Sequence, residues 1–204
     1  GRKVSINYTK TCWVLKCDIR KFFASIDQEI LLSILRTYIK DENIIWLLKS
    51  VILSFESTGK GKGLPLGNLT SQLLVNIYMN EFDQFVKHKL RVKYYIRYAD
   101  DFVFLHQDKT YLEGLVPQIS KFLETRLRLT LHPDKLFLKT LATGVDFLGW
   151  VHFSKCRVLR TVTKRRMFKR LSQAVREETQ ASYLGLLSHG NAHKLVEKIE
   201  RGRV

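Results

Sequence analysis

Cysteine is scarce in this chain. Cys12, Cys17 and Cys156 are its only three, at spacings that match neither a zinc cluster nor an even-numbered disulfide framework. A cross-linked secreted scaffold is thereby excluded, and a reducing cytoplasmic setting is the expectation. The six histidines are scattered, and none pairs with a cysteine at metal-ligand spacing. No apolar run reaches eighteen residues and no signal peptide is legible, so membrane and secretory roles drop out. Internal repeats and low-complexity linkers are missing too. Acidic residues are in short supply: 19 Asp/Glu stand against 35 Lys/Arg, a net charge of +16. Such an excess points to a polyanionic partner. It is concentrated late, with 13 Lys/Arg against 4 Asp/Glu from Lys155 onward. Arg157, Arg160, Lys164, Arg165, Arg166, Lys169 and Arg170 are dense enough to track a nucleic-acid backbone, with a steep salt dependence.

What is present is a 204-residue chain, 45% apolar, able to bury a sizeable core. Its most informative stretch runs from Tyr94 to Leu105. Two β-prone runs flank Asp100 and Asp101, which reads as a hairpin with adjacent carboxylates at its tip. Side by side, the two repel each other. They form either a solvated turn or one half of a site for a hard divalent cation, which takes carboxylates, phosphate oxygens and water. Cys12–Ile19 offers a third carboxylate: an apolar, β-branched strand ending at Asp18, which is either a turn former or a ligand. Between these sites lies Gly59–Gln72, where glycines alternate with Lys60 and Lys62. Its composition is that of a flexible cationic loop able to approach a phosphate backbone. A long amphipathic helix should follow, with Leu73, Leu74, Ile77, Tyr78, Phe82, Phe85 and Val86 on or near one face.

Along the chain, a strand is expected at about 12–18, and helices from Gln28 to about Phe55 with a break near Asp41. A helix over Thr70 to about Leu90, the Asp-Asp hairpin and a helix between Thr110 and Arg128 follow. Short strands at Leu129–His132 and Leu136–Leu138 lead to a hairpin around Phe147–Trp150 and Val158–Leu159. A basic helical tail closes the chain in pieces near Lys164–Glu178, Ser182–Ser188 and Asn191–Arg201, punctuated by Gly185 and Gly190. This mixture predicts an α+β fold, an antiparallel sheet backed by helices with a helical appendage.

The ordered motifs resemble those of reverse transcriptases. Asp18 with Phe22-Phe23, Leu64-Pro65-Leu66-Gly67 through Thr70-Ser71-Gln72, and Tyr98-Ala99-Asp100-Asp101 follow that family's palm order and spacing. Leu131-His132-Pro133-Asp134-Lys135 resembles its lysine-bearing motif, and Phe147-Leu148-Gly149-Trp150 its primer-grip hairpin. The pattern Leu66-Gly67-Asn68-Leu69-Thr70-Ser71-Gln72, with Ala181-Ser182-Tyr183-Leu184-Gly185 as a thumb, looks like the enzymes of diversity-generating retroelements, which copy a template RNA with frequent errors at adenines. Retron, group II intron-type and abortive-infection relatives are alternatives.

The resemblance implies a right-hand palm over residues 1–153 and a basic thumb over 154–204, in a prokaryotic or phage-type cytoplasmic enzyme. It implies RNA-directed DNA synthesis from dNTPs on an RNA template with a DNA or RNA primer, and a small basic accessory protein in the retroelement subgroup. Asp18, Asp100 and Asp101, with the backbone carbonyl of Ile19, would hold two Mg²⁺ ions, or Mn²⁺ in their stead. Phe23 would lie under the nucleotide sugar and exclude a 2′-hydroxyl, or else simply pack. Leu66, Gly67 and Gln72 would meet the nucleotide or template. Leu66 offers apolar contact in place of a hydrogen bond and so relaxes base selection. Lys135 would serve the triphosphate or stand as a solvated lysine, and Arg97 is readable as an exposed surface charge. Lys60, Lys62, Phe147, Gly149, Trp150 and the basic tail would contact nucleic acid. Fingers motifs, which in the family precede the first aspartate, are not found in the seventeen residues before Asp18. The chain is therefore expected to be a piece of an enzyme or to depend on another piece. RNA-directed RNA synthesis and a catalytically silent RNA-binding role are the competing classes.

Overall fold

The computed structural model describes residues 11–55, 59, 61–65, 67–173 and 177–201. Lys60 and Leu66 lie outside the described residues. Two compact units result: one spans Trp13–Leu138, and the other is formed from Lys139 onward together with Cys12.

The larger unit is built on β1 (Trp13–Cys17), followed by the short helix α1 (Phe22–Ser25), α2 (Gln28–Tyr38), α3 (Glu42–Leu53) and α4 (Leu69–Gln84). Strands β2 (Tyr95–Tyr98) and β3 (Asp101–His106) form the hairpin. Helix α5 (Lys109–Leu127) follows, and β4 (Phe137–Thr140) starts at the end of this unit. The sheet order is β2-β3-β1-β4, and β3 runs antiparallel to both β1 and β2. Strand alternation divides its faces. Leu15, Cys17, Phe102 and Phe104 point into the core with Tyr78, Phe82, Leu112, Ile119 and Leu123 of α4 and α5. Phe82 meets Phe102 and Tyr95, and Phe85 stacks on Phe122 with ring centroids 4.2 Å apart. Burial pushes the Cys17 thiol up to about 12, with the Asp101 charge as a second cause.

Three aspartates start three helices. Asp27, Asp41 and Asp108 each accept backbone N–H bonds from the first turn of α2, α3 and α5. The expected break near Asp41 is thus a cap following the end of α2. Helix α4 starts near the anticipated residue and widens into one π turn over Phe85–Lys89. Leu73, expected among its core-facing residues, is 63% exposed, because the buried row runs through Leu74, Val75, Tyr78, Met79 and Phe82. Leu129–His132 forms an isolated bridge, Ile19 with Leu131, where a strand was expected.

The smaller unit holds an antiparallel three-stranded sheet, β5 (Val145–Phe147), β6 (Trp150–His152) and β7 (Arg157–Leu159). Helices α6 (Thr161–Gln173), α7 (Glu177–Leu187) and α8 (His193–Glu200) share its core through Trp150, Leu159, Met167, Leu171, Leu187 and Ile199. Gly185, expected to interrupt the tail, lies inside α7, whereas Gly190 does separate α7 from α8. No helix among the described residues is long and apolar enough to cross a membrane.

Candidate active site

The β1–β3 register pairs Cys17 with Phe102, so its continuation by one pair sets Asp18 beside Asp101. Alternation turns both away from the core, onto the face that carries Lys16 and Val103. Asp100 lies in the two-residue turn closing β2 onto β3, after Tyr98↔Asp101. Ala99 in that turn has φ +52°, a left-handed conformation that costs a non-glycine residue roughly 1–2 kcal/mol. Three carboxylates separated in sequence thus share one end of the sheet.

They do not share it without cations. Lys16 Nζ lies 2.9 Å from Asp101 Oδ2, and Lys135 Nζ lies 3.1 and 3.2 Å from the two oxygens of Asp18. Lys135 is brought there by the chain pairing beyond β1: Arg20 N–H donates to Thr130 O, and His132 N–H to Asp18 O. A 3₁₀ turn over Pro133–Lys135 follows, with the His132 ring accepting from Asp134 N–H. Burial raises the Asp100 carboxyl above the ordinary aspartate range, and the Asp18 charge adds to the shift. Asp101 is raised as well, first by burial and then by Asp18 and Asp100, with Lys16 opposing. Among the described residues no three His, Cys, Asp or Glu side chains form a ready-made metal cage. Two of these carboxylates are turned to ammonium groups. Yet Asp101 Oδ1 is buried and has no hydrogen-bond partner. An orphaned anionic oxygen amid mutually repelling carboxylates suits a hard divalent cation, so the donor set fits Mg²⁺.

Around this centre, Phe22 is buried while Phe23 is half-buried against it, the rings edge-to-face at 5.5 Å. The glycine-lysine loop, expected to be flexible, is pinned where it is described. Gln28 N–H donates to Gly61 O, Gly63 N–H to Ile26 O, and Leu64 N–H to Phe23 O. The buried Gln28 amide donates to the carbonyls of Ile52, Phe55 and Gly63, binding the end of α3 to the loop. Gly67 (φ +89°) and Gln72 are exposed beside and within the start of α4. Arg97, for which an exposed surface charge was one of the open readings, is tied to Asp83 at 2.7 and 2.9 Å.

The smaller unit corrects two expectations. Phe147 and Trp150 are buried, at 7% and 6% exposure, so neither ring faces outward to meet nucleic acid. Trp150 packs so closely on Gly190 that a Cβ there would lie 2.0 Å from its ring, and Arg157 sits over the same ring. At the hairpin tip the outward side chain is Leu148, 51% exposed with φ +52°, next to Gly149. Lys62, Arg157, Lys164, Arg165, Arg166, Lys169 and Arg170 are all exposed. Sequence reasoning missed Lys16, Gln28 and the Arg97–Asp83 pair. For Lys16 the signal was present: two residues before Asp18 on a strand, it had to share that residue's face.

A family model described as "Reverse transcriptase (RNA-dependent DNA polymerase)" matches residues 2–186. The chain is 27% identical to Protein YkfC of Escherichia coli (strain K12), over 69% of this chain and 47% of that protein. It is 22% identical to the Putative COX1/OXI3 intron 2 protein of Saccharomyces cerevisiae, over 71% of this chain and 24% of the other. It therefore spans about half or less of the length of these curated relatives. Among solved structures, telomerase from Candida albicans in complex with a TWJ fragment of telomeric RNA superposes with a TM-score of 0.57 at 14% identity. That match covers 76% of this chain and 31% of the other. The corresponding complex from Candida tropicalis gives 0.56 at 14% identity, over 94% and 38%. At that identity the likeness is one of fold, an α+β palm-type sheet with helices.

Proposed function

The chain belongs to the reverse transcriptase (RNA-dependent DNA polymerase) family, and from that premise we propose that its parent protein copies RNA into DNA, adding dNTPs to a primer 3′-hydroxyl. The observation that carries this reading is the shared sheet end of Asp18, Asp100 and Asp101 with the orphaned Asp101 oxygen. These three side chains, with the Ile19 carbonyl beside them, would hold Mg²⁺ or Mn²⁺. The bound ions would lower the pKa of the primer hydroxyl and neutralise charge on departing pyrophosphate.

The chain's own residues do the rest. Lys135, 53% exposed, holds Asp18 and would offer its ammonium to an incoming triphosphate. Phe23 presents the accessible part of its ring to the sugar and disfavours a 2′-hydroxyl. Gly67 and Gln72 border the nucleotide at the start of α4. Lys60 and Lys62 would each contact nucleic-acid phosphate, and so, in the smaller unit, would Arg157 and the basic residues Lys164, Arg165, Arg166, Lys169 and Arg170, with Gly149 contacting the primer. In functional terms the palm extends through residue 153 and the thumb begins at 154, although the compact units divide after Leu138. The test is primer extension by the full-length protein on an RNA template. Incorporation of dNTPs in strong preference to rNTPs is expected, and equal use of rNTPs overturns the reading.

Within the family, we propose error-prone copying in a diversity-generating retroelement, assisted by a small basic protein. The apolar Leu66 supports it, since shape and apolar contact discriminate less than hydrogen bonds do. Leu66→Gln should lower misincorporation opposite adenine, and an unchanged error rate counts against the idea. A second reading, an intron-type enzyme, is favoured by the likeness to the yeast intron protein. A near-duplicate repeat pair differing at adenines in the neighbouring DNA would decide for the retroelement.

A further inference from the structure

One guanidinium ties the turn that carries Asp100 to the helix that follows the glycine-lysine loop. Arg97, on β2, donates from Nε and Nη2 to the two oxygens of Asp83 at 2.9 and 2.7 Å. Its Nη1 donates to Asn76 Oδ1 at 3.2 Å and to the carbonyl of Ala99 at 3.0 Å. Asn76 and Asp83 are seven residues apart, two turns along one face of α4. The Tyr95 hydroxyl donates to the same Asp83 oxygen at 2.7 Å, so the carboxylate is held from both sides. The side chain of Arg97 is 9% exposed, and four of its five N–H groups have acceptors. Ala99 is the residue with left-handed backbone in the turn, and its carbonyl is held by the same group that grips α4. A backbone in that region persists only when its surroundings over-determine it.

We propose that Arg97 is a positioning residue: it fixes the Ala99–Asp100 turn against α4 and so sets where the Asp100 carboxylate stands relative to the nucleotide-binding start of that helix. The planar fork is essential to this role. Two parallel bonds to a carboxylate leave the remaining edge to reach the turn carbonyl. Lysine has the same charge, but its donors radiate from a single atom and cannot grip the helix on one side and the turn on the other. Arg97→Lys should therefore keep the charge balance with Asp83 and lose the hold on Ala99. The catalytic half of this inference rests on the proposed polymerase activity, whereas its structural half does not.

The experiment uses the full-length protein with Arg97→Lys and, as a milder variant in the same network, Asn76→Ala. Backbone hydrogen exchange over Tyr98–Asp101 is measured beside dNTP-addition kinetics and thermal stability. Faster exchange at the turn is expected in Arg97→Lys, with protection of α4 and melting temperature near wild type. Asn76→Ala should show the same effect in smaller degree. In kinetics, kcat should fall by about tenfold to a hundredfold while KM for dNTP changes little, the mark of displaced reacting groups. Unchanged exchange at the turn in both variants overturns the inference, as does a wild-type kcat in Arg97→Lys. If Arg97→Lys does not fold, Asn76→Ala decides by the same two readouts. If wild-type protein adds no dNTP, the functional proposal fails, and the exchange result alone then decides the role of Arg97.

Discussion

Gly185 and Gly190 stand five positions apart and are subject to opposite demands. A Cβ added to Gly185, inside α7, meets nothing within 4 Å, and the residue keeps an ordinary helical backbone. Gly185→Ala should therefore stabilise the protein by roughly 0.5–1 kcal/mol, chiefly by restricting the unfolded chain. Gly190→Ala drives a carbon into the Trp150 ring and should cost roughly 1–3 kcal/mol, read as a lower melting temperature. Tyr95 makes a residue-scale prediction about pH. Burial first, and then the Asp83 carboxylate, push its hydroxyl well above the ordinary tyrosine range. With the folded value above the unfolded one, the contribution is whole below about pH 10 and is lost as pH rises beyond it. In an alkaline titration followed by tyrosinate absorbance, Tyr95 should ionise only as the protein unfolds. Tyr95→Phe should remove that component.

Among elements, the loop Gly61–Leu64 matters most, because it joins the end of α3 to the chain that leaves β1. Its lysines and glycines suggested mobility, and the sequence gives no local sign of what holds it. The holder is Gln28, thirty-five residues before Gly63 and buried. Gln28→Ala should cost roughly 1–3 kcal/mol by stranding buried carbonyls, and should speed hydrogen exchange across 61–64. Urea unfolding and exchange together check it. The same contrast explains what was legible. Helix starts at Asp27, Asp41 and Asp108 are written locally as caps, and β1 and the Asp-Asp hairpin are written as alternation. Trp150 was misjudged because the residues that bury it, Gly190, Met167 and Leu187 among them, are distant in sequence. Leu131 was expected in a strand, yet its neighbours pair only at one bridge with Ile19. Arg97 was ambiguous for the same reason: only the approach of α4 to β2 supplies Asp83.

At the scale of the whole molecule, two strands deliver three carboxylates to one end of a sheet, where Lys16 and Lys135 balance part of their charge. Those ammonium groups keep the cluster compatible with folding, and the orphaned Asp101 oxygen leaves it suited to a divalent cation. The most direct measurement is single-turnover addition of one dNTP to a primed RNA template by the full-length protein and its Asp100→Ala variant, with template affinity measured alongside. Loss of the carboxylate should remove several kcal/mol of transition-state stabilisation, a fall of roughly a thousandfold in rate, with template affinity nearly unchanged. An Asp100→Ala protein that adds dNTP at the wild-type rate would contradict the account.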